Sequence, residues 1–292
     1  MQLLVFIIIY PILWFISILP FPVFYLFSDF VYFLTYHIIG YRKKVVRNNI
    51  KLALPHLSDQ ERLVIEKKFY SHMCDMFLEM IKTISISQEE IEKRFTFSNM
   101  EVYYEMEKKN KSIALMCAHY ASYEWVVSMN YHIHFKGFGI YKKLANPYFD
   151  KLVKKIRSKF KAELITTKET IPTIAANHKN TILSIYGFAS DQSPKPNSAY
   201  HWAPFMGHIV PVHTGAEMLA KRFDMNVIFL RTKKLKRGYY QASFEVLSED
   251  VKSVPNYEIT DNFLKLVEQQ IYEAPEFYLW THKRWKHLKE TV

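Results

Sequence analysis

A chain of 292 residues with 49% hydrophobic side chains has material for one large domain or two modest ones. Twenty Tyr and 22 Phe against seven Gly argue against a disordered or low-complexity chain and favour an aromatic-rich body beside a lipid interface. The net charge of +11 fits nucleic acid, anionic lipid or an acidic carrier protein, while two cysteines without CxxC spacing argue against a disulfide framework or structural zinc and fit a reducing compartment.

From Met1 to Gly40 the only acidic or histidine side chains are Asp29 and His37, and Leu3 to Leu19 is apolar almost throughout. That length approaches the roughly 20 residues of a spanning helix, and Pro11, Pro20 and Pro22 make a kinked span or a span followed by an interfacial helix equal alternatives. A signal peptide is the rival, weakened by the lack of a basic region before the apolar run and of a small-residue cleavage site after it. Arg42, Lys43, Lys44 and Arg47 follow, so the positive-inside tendency puts the rest of the chain on the cytoplasmic face of the membrane. Residues 1–40 are therefore expected to be a membrane-anchoring segment, and 41–292 one domain.

Between Tyr41 and Ile84 the pattern is helical. Leu52-Ala53-Leu54-Pro55 closes one helix, and Ser58-Asp59-Gln60-Glu61 caps the next. After Thr96, apolar runs at Ser112–Cys117, Gly137–Tyr141, Thr181–Tyr186, Asn226–Arg231 and Tyr239–Leu247 alternate with helical stretches. The alternation predicts an α/β fold, helical over 41–95 and α/β over 96–292, with a mixed, largely parallel sheet and an antiparallel piece around Arg237-Gly238.

His119 and Glu124 follow the first of these strands. A carboxylate-backed imidazole is a ready general base, but five residues bring neither helix nor strand neighbours together. A strand ending near Ala118 and a helix starting near Ser122 would do so, with His119 at the strand's carboxyl end, where open α/β sheets hold ligands. Cys117 reads as a small buried hydrophobe rather than a nucleophile. Asp191, with no partner at metal-ligand spacing, reads as a turn with Gln192 that braces the pocket. Lys151, Lys154, Lys155, Arg157, Lys159 and Lys161 form one basic helix, either a solvated face or a docking surface for an acidic carrier protein or anionic headgroups. Lys233, Lys234, Lys236 and Arg237 pose the same choice. The aromatic-basic tail Tyr278–His287 lacks a stacking platform or groove-reading motif, so no nucleic acid is expected.

The ordered set of blocks resembles the lipid A late acyltransferases, the lauroyl/myristoyl branch of the lysophospholipid acyltransferase superfamily. The blocks are Tyr41-Arg42 through Val46-Arg47-Asn48-Asn49, His119-x4-Glu124, Tyr141-Lys142 with Asn146-Pro147-Tyr148-Phe149-Asp150 and Arg157, Asp191-Gln192-Ser193-Pro194, Phe205-Met206-Gly207 with Thr214-Gly215, and Tyr278 to Trp285. Met206 and Lys142 depart from the aromatic and the arginine common there. The resemblance implies an acyltransferase fold and transfer of an acyl group from acyl carrier protein, or from coenzyme A, to a hydroxyl of a lipid A precursor at the cell inner membrane. His119 and Glu124 would be catalytic, with Glu124 orienting His119. Lys142, Arg157 and Asp191 would bind substrate, with backbone N–H groups after His119 as oxyanion donors. No metal and no resident cofactor are expected. The alternatives are a lysophospholipid or amino-acid lipid acceptor, or a non-catalytic lipid-binding relative.

Overall fold

The computed structural model describes residues 1–288, so the last four residues assigned to the main domain lie outside the description. The apolar N-terminus breaks at Leu19-Pro20 into α1 (Gln2–Ile18) and α2 (Phe21–Phe33), the latter continuing as one π-helical stretch over Leu34–Ile39. Among the described residues the one helix long and apolar enough to cross a membrane is the 19-residue stretch Phe21–Ile39, not the first helix expected from the sequence. Leu4, Ile8 and Phe15 of α1 and Leu26 and Phe30 of α2 point outward. Ile16 and Phe24 instead pack on Leu78.

Helix α3 (Lys43–Ala53) leads through Leu54-Pro55 to α4 (Asp59–Lys82). The capping box is present: Glu61 N–H donates to Ser58 Oγ at 3.3 Å, and Ser58 N–H donates to Glu61 Oε2 at 2.7 Å. Then come α5 (Gln88–Arg94), β1 (Phe95–Phe97), α6 (Met100–Lys108), β2 (Ile113–Cys117), β3 (Lys136–Tyr141), α7 (Pro147–Ser158), β4 (Glu163–Thr166), α8 (Thr170–Lys179) and β5 (Ser184–Ala189). The hairpin β6 (His201–Phe205) and β7 (His208–Val212), α9 (Gly215–Phe223), β8 (Asn226–Lys236), β9 (Tyr239–Ser248) and α10 (Glu258–Glu273) follow.

Seven strands form one mixed α/β sheet in the order β1-β9-β8-β2-β5-β3-β4. Every pairing is parallel except β8 with β9. Strand β2 lies between β5 and β8 with Ile113 to Met116 buried, which explains why its sequence is a continuous apolar run. Three pieces were not legible. β1 and β4 are too short to show a period, and β6 and β7 carry Pro204 and Pro211 inside a separate two-stranded sheet. The two-residue turn at that hairpin needs left-handed backbone at both Met206 (φ 49°) and Gly207 (φ 77°).

Connections leave β2 toward β3 on one side, and β8 lies on its other side. The strand order thus reverses at β2, and the crevice at its carboxyl end is where such sheets place ligands.

Candidate active site

The β2–β5 register sets the central geometry. Cys117 stands opposite Ala189, so His119 and Asp191 each lie two residues beyond the same rung of adjacent parallel strands, whose spacing is about 4.8 Å. Their side chains meet: His119 Nδ1 is 2.7 Å from Asp191 Oδ1, and the His119 backbone N–H donates to the same oxygen at 3.1 Å. Because a carboxylate accepts, Nδ1 carries the proton. That leaves the lone pair on Nε2, on a side chain 20% exposed beside an Asp191 that is only 1% exposed.

The pair is electrostatically matched. Burial alone would depress the imidazole, but the charge and hydrogen bond of Asp191, with Glu124 adding to them, hold His119 above its ordinary value. Burial would raise Asp191, yet His119 and the backbone N–H hold it below the usual carboxylate range.

The expected orienter is not the one observed. Glu124 sits at the start of a short 3₁₀ helix over Trp125–Tyr131, in place of the helix expected from Ser122, and its carboxylate is bound by Arg157. Arg157 Nε and Nη2 reach Oε2 and Oε1 at 3.0 and 2.7 Å, leaving Nη1 outside the pair. The fork is bidentate. Asp191, read from sequence as a turn brace and a substrate contact, is instead the buried partner of His119. It has no exposed oxygen to offer a substrate, and the reason is register: five residues separate His119 from Glu124, whereas strand pairing aligns it with Asp191. Lys142 is exposed in the β3–α7 connection and pairs with none of the other four.

A strap from the C-terminus holds the loop that carries His119. Leu279 N–H donates to His119 O at 3.1 Å, Ala121 N–H to Phe277 O at 2.9 Å, and Tyr120 pairs with Tyr278 in an antiparallel bridge. Asn49 of α3 binds the carbonyls of Trp280 and His282 at 2.8 and 2.7 Å. The loop carries strain at Ala121, whose φ is 49° in a completely buried residue. Behind Asp191 lie Tyr278 and Arg284, 2% and 1% exposed. The Tyr278 hydroxyl feels burial first and then the Asp191 charge, which both push it well up, while Arg284 opposes them. Arg284 Nη1 donates to Ser193 Oγ at 2.6 Å and Pro211 O at 2.9 Å. His282 Nε2 accepts from Ser193 N–H at 3.3 Å, and burial pushes its imidazole down to about 4. His213 lies in the same electrostatic neighbourhood and was missed, since nothing local in the sequence marks it. Burial pushes the Cys117 thiol up to about 12, the opposite of a nucleophile's need.

Next to Arg157 is an apolar cavity of about 220 Å³ between α1, α4 and α7. Leu13, Met80, Ile84, Phe149 and Ile156 line it, and Arg157 is the one charged side chain in its wall. The basic helix of the sequence reading is divided: α7 ends at Ser158, Arg157 faces Glu124, and Lys159 Nζ donates to Ile86 and Thr83 carbonyls. Lys151 and Lys155 remain exposed.

The family described as bacterial lipid A biosynthesis acyltransferase matches over residues 2–287. A lipid A biosynthesis lauroyltransferase of Escherichia coli (strain K12) is 24% identical over 282 residues, covering 96% of this chain and 91% of that protein.

Proposed function

Since this chain belongs to the bacterial lipid A biosynthesis acyltransferase family and is therefore an acyltransferase, we propose that it moves a fatty acyl chain from acyl carrier protein to a hydroxyl of a lipid A precursor, with His119 as general base. The observation that carries this reading is the His119–Asp191 contact at 2.7 Å, which fixes the tautomer with the lone pair on Nε2. His119 Nε2 takes the acceptor hydroxyl proton as the oxygen attacks the thioester carbonyl; the C–S bond then breaks and the imidazolium returns the proton to the thiolate. Asp191 favours the transient imidazolium. Glu124 makes its hydrogen bonds to Arg157 and reaches the ring only through its charge, aiming the guanidinium so that Nη1 is left for the carbonyl oxygen or a phosphate of the donor.

The apolar cavity takes the acyl chain. Each methylene buried there contributes about 0.8 kcal/mol, so a cavity carrying no polar group except at its Arg157 end orders the chain with its reactive end toward Glu124 and His119. The exposed Lys151 and Lys155 on α7, whose opposite face lines the cavity, offer an acidic carrier protein its docking surface. The outward apolar faces of α1 and α2 attach the enzyme to the inner membrane with its catalytic part on the cytoplasmic side.

The test is purified protein with an acyl-carrier donor and lipid A precursor, followed by mass spectrometry of the product. His119→Ala is expected to lower turnover by about 10²- to 10⁴-fold with the fold intact. A variant as active as the wild type would remove His119 from the reaction.

A further inference from the structure

A second cleft, of about 380 Å³, opens between α4, the β8–β9 hairpin and the turn Pro275–Phe277. Its lining is basic: Lys68, Lys234, Lys236 and Arg237 face two carboxylates, Asp75 and Glu276. Those carboxylates do not neutralise it. Asp75 Oδ1 already accepts from Arg237 at 2.7 Å and from Ser28 at 2.7 Å, and Arg237 is completed by Asp29 at 2.6 Å. Glu276 reaches Lys68 only at 3.7 Å. Lys236 lies over the Tyr239 ring at 4.3 Å and has no carboxylate partner.

Lys234 is the unexplained group. Its side chain is 11% exposed, its hydrogen bond goes to the neutral acceptor His72 Nδ1 at 3.1 Å, and its nearest carboxylate oxygen is 3.7 Å away. His72 itself is buried, and burial followed by the Lys234 charge keeps it uncharged. Lys234 shares Asp75 with the closer Arg237, so this largely desolvated ammonium is only partly offset, and a bound anion would offset the rest. The cleft also sits at a boundary: α2, with Leu26 and Phe30 outward, is tied to its rim by Arg237–Asp29 and by Tyr25 against Gly238. On the other side it backs onto the loop that carries His119 through Phe277, whose carbonyl accepts from Ala121.

We propose that this cleft binds a phosphate group of a lipid headgroup, with Lys234 and Lys236 as its cationic donors and Ser71 as a neutral one. Lysines suit this task as compact, strongly hydrated point charges that meet a tetrahedral oxyanion from several directions. The inference rests on the membrane attachment and lipid acceptor proposed above. The phosphate comes either from the acceptor itself or from a neighbouring anionic phospholipid.

The two sources separate in a mixed-micelle assay using acceptor with and without its phosphate groups. Lys234→Met, close in volume, is expected to raise the KM for phosphorylated acceptor about tenfold, the scale of one charge-assisted hydrogen bond, with kcat unchanged within about twofold. Lys236→Gln, at an exposed position, should act in the same direction and guards against a folding defect in the first variant. No effect on the dephosphorylated acceptor identifies the acceptor's own phosphate. A rise for both acceptors that appears only in micelles containing phosphatidylglycerol identifies a neighbouring lipid. Flotation with phosphatidylglycerol against phosphatidylcholine vesicles gives a readout independent of turnover, so it stands even if acyl transfer fails. Unchanged KM in every micelle together with unchanged vesicle preference in both variants would overturn the proposal.

Discussion

Two buried charge clusters in this molecule are each built on a buried aspartate and differ in what they leave open. Beneath α2, Asp75 is closed by Ser28, Arg237 and Lys234, and Glu79 accepts from the Tyr25 and Tyr240 hydroxyls at 2.8 and 2.9 Å. Their donors come from α2, β8, the following hairpin turn and β9, so the cluster joins elements distant in sequence. At the carboxyl ends of β2 and β5, Asp191 accepts from the His119 imidazole and backbone N–H with the Tyr278 hydroxyl beside it, and that imidazole keeps one nitrogen outside the pair. A carboxylate satisfied by fixed donors holds structure. One satisfied by an imidazole that keeps a lone pair outside the contact leaves that nitrogen open to a proton.

The comparison breaks most visibly at Asp191. Asp191→Asn removes the charge that raises His119 while keeping the shape, so turnover should fall by about 10²-fold or more. The pH profile carries the sign. With His119 as the proposed general base its neutral form is the active one, and its folded value is raised, so wild-type activity should fall as pH drops through a point above the ordinary imidazole value; in the variant that acid limb should move to lower pH. An unmoved limb would mean that the dyad does not set the base.

Arg237→Met acts on the other cluster. It leaves Asp75 with Ser28 and Lys234, and stability should drop by about 2–3 kcal/mol, below the 3–5 of a fully buried pair because the guanidinium is partly exposed. Thermal unfolding measures this loss. At temperatures where the variant stays folded, the pH limb of turnover should match the wild type.

The smallest effect belongs to Glu79. Burial, with the Asp75 charge adding, raises it to about 7, so the folded state binds a proton that the unfolded state releases near the ordinary carboxylate value. Wild-type stability attributable to this group is present at acid pH and is lost as pH rises toward 7. Glu79→Gln, which is neutral throughout, should flatten that part of the stability–pH curve. Superimposable curves for the two proteins would show that Glu79 is ionised across the range.

Much of the fold was readable because its signals are local. The Ser58–Glu61 capping box, the buried run Ile113–Cys117 and the turn at Arg237-Gly238, where Gly238 adopts φ 72°, each declare an element within a few residues. Pro20 and Pro22 marked the break in the apolar N-terminus but not which side of it is long enough to span. The partner of His119 was illegible for a different reason. The nearest carboxylate in sequence is Glu124; the nearest in space is Asp191, 72 residues away, and only the pairing of β2 with β5 joins them.

The sequence by itself therefore determined the longer helices and strands, the apolar N-terminal stretch and His119 as the candidate base, since those follow from local periodicity, capping and the chemistry of an imidazole. Tertiary structure alone decided which carboxylate meets His119, that Glu124 holds Arg157, and that Lys234 is buried beside His72. Strand order and register are set by the packing of the whole sheet, and a side chain's partners follow from register rather than from spacing along the chain.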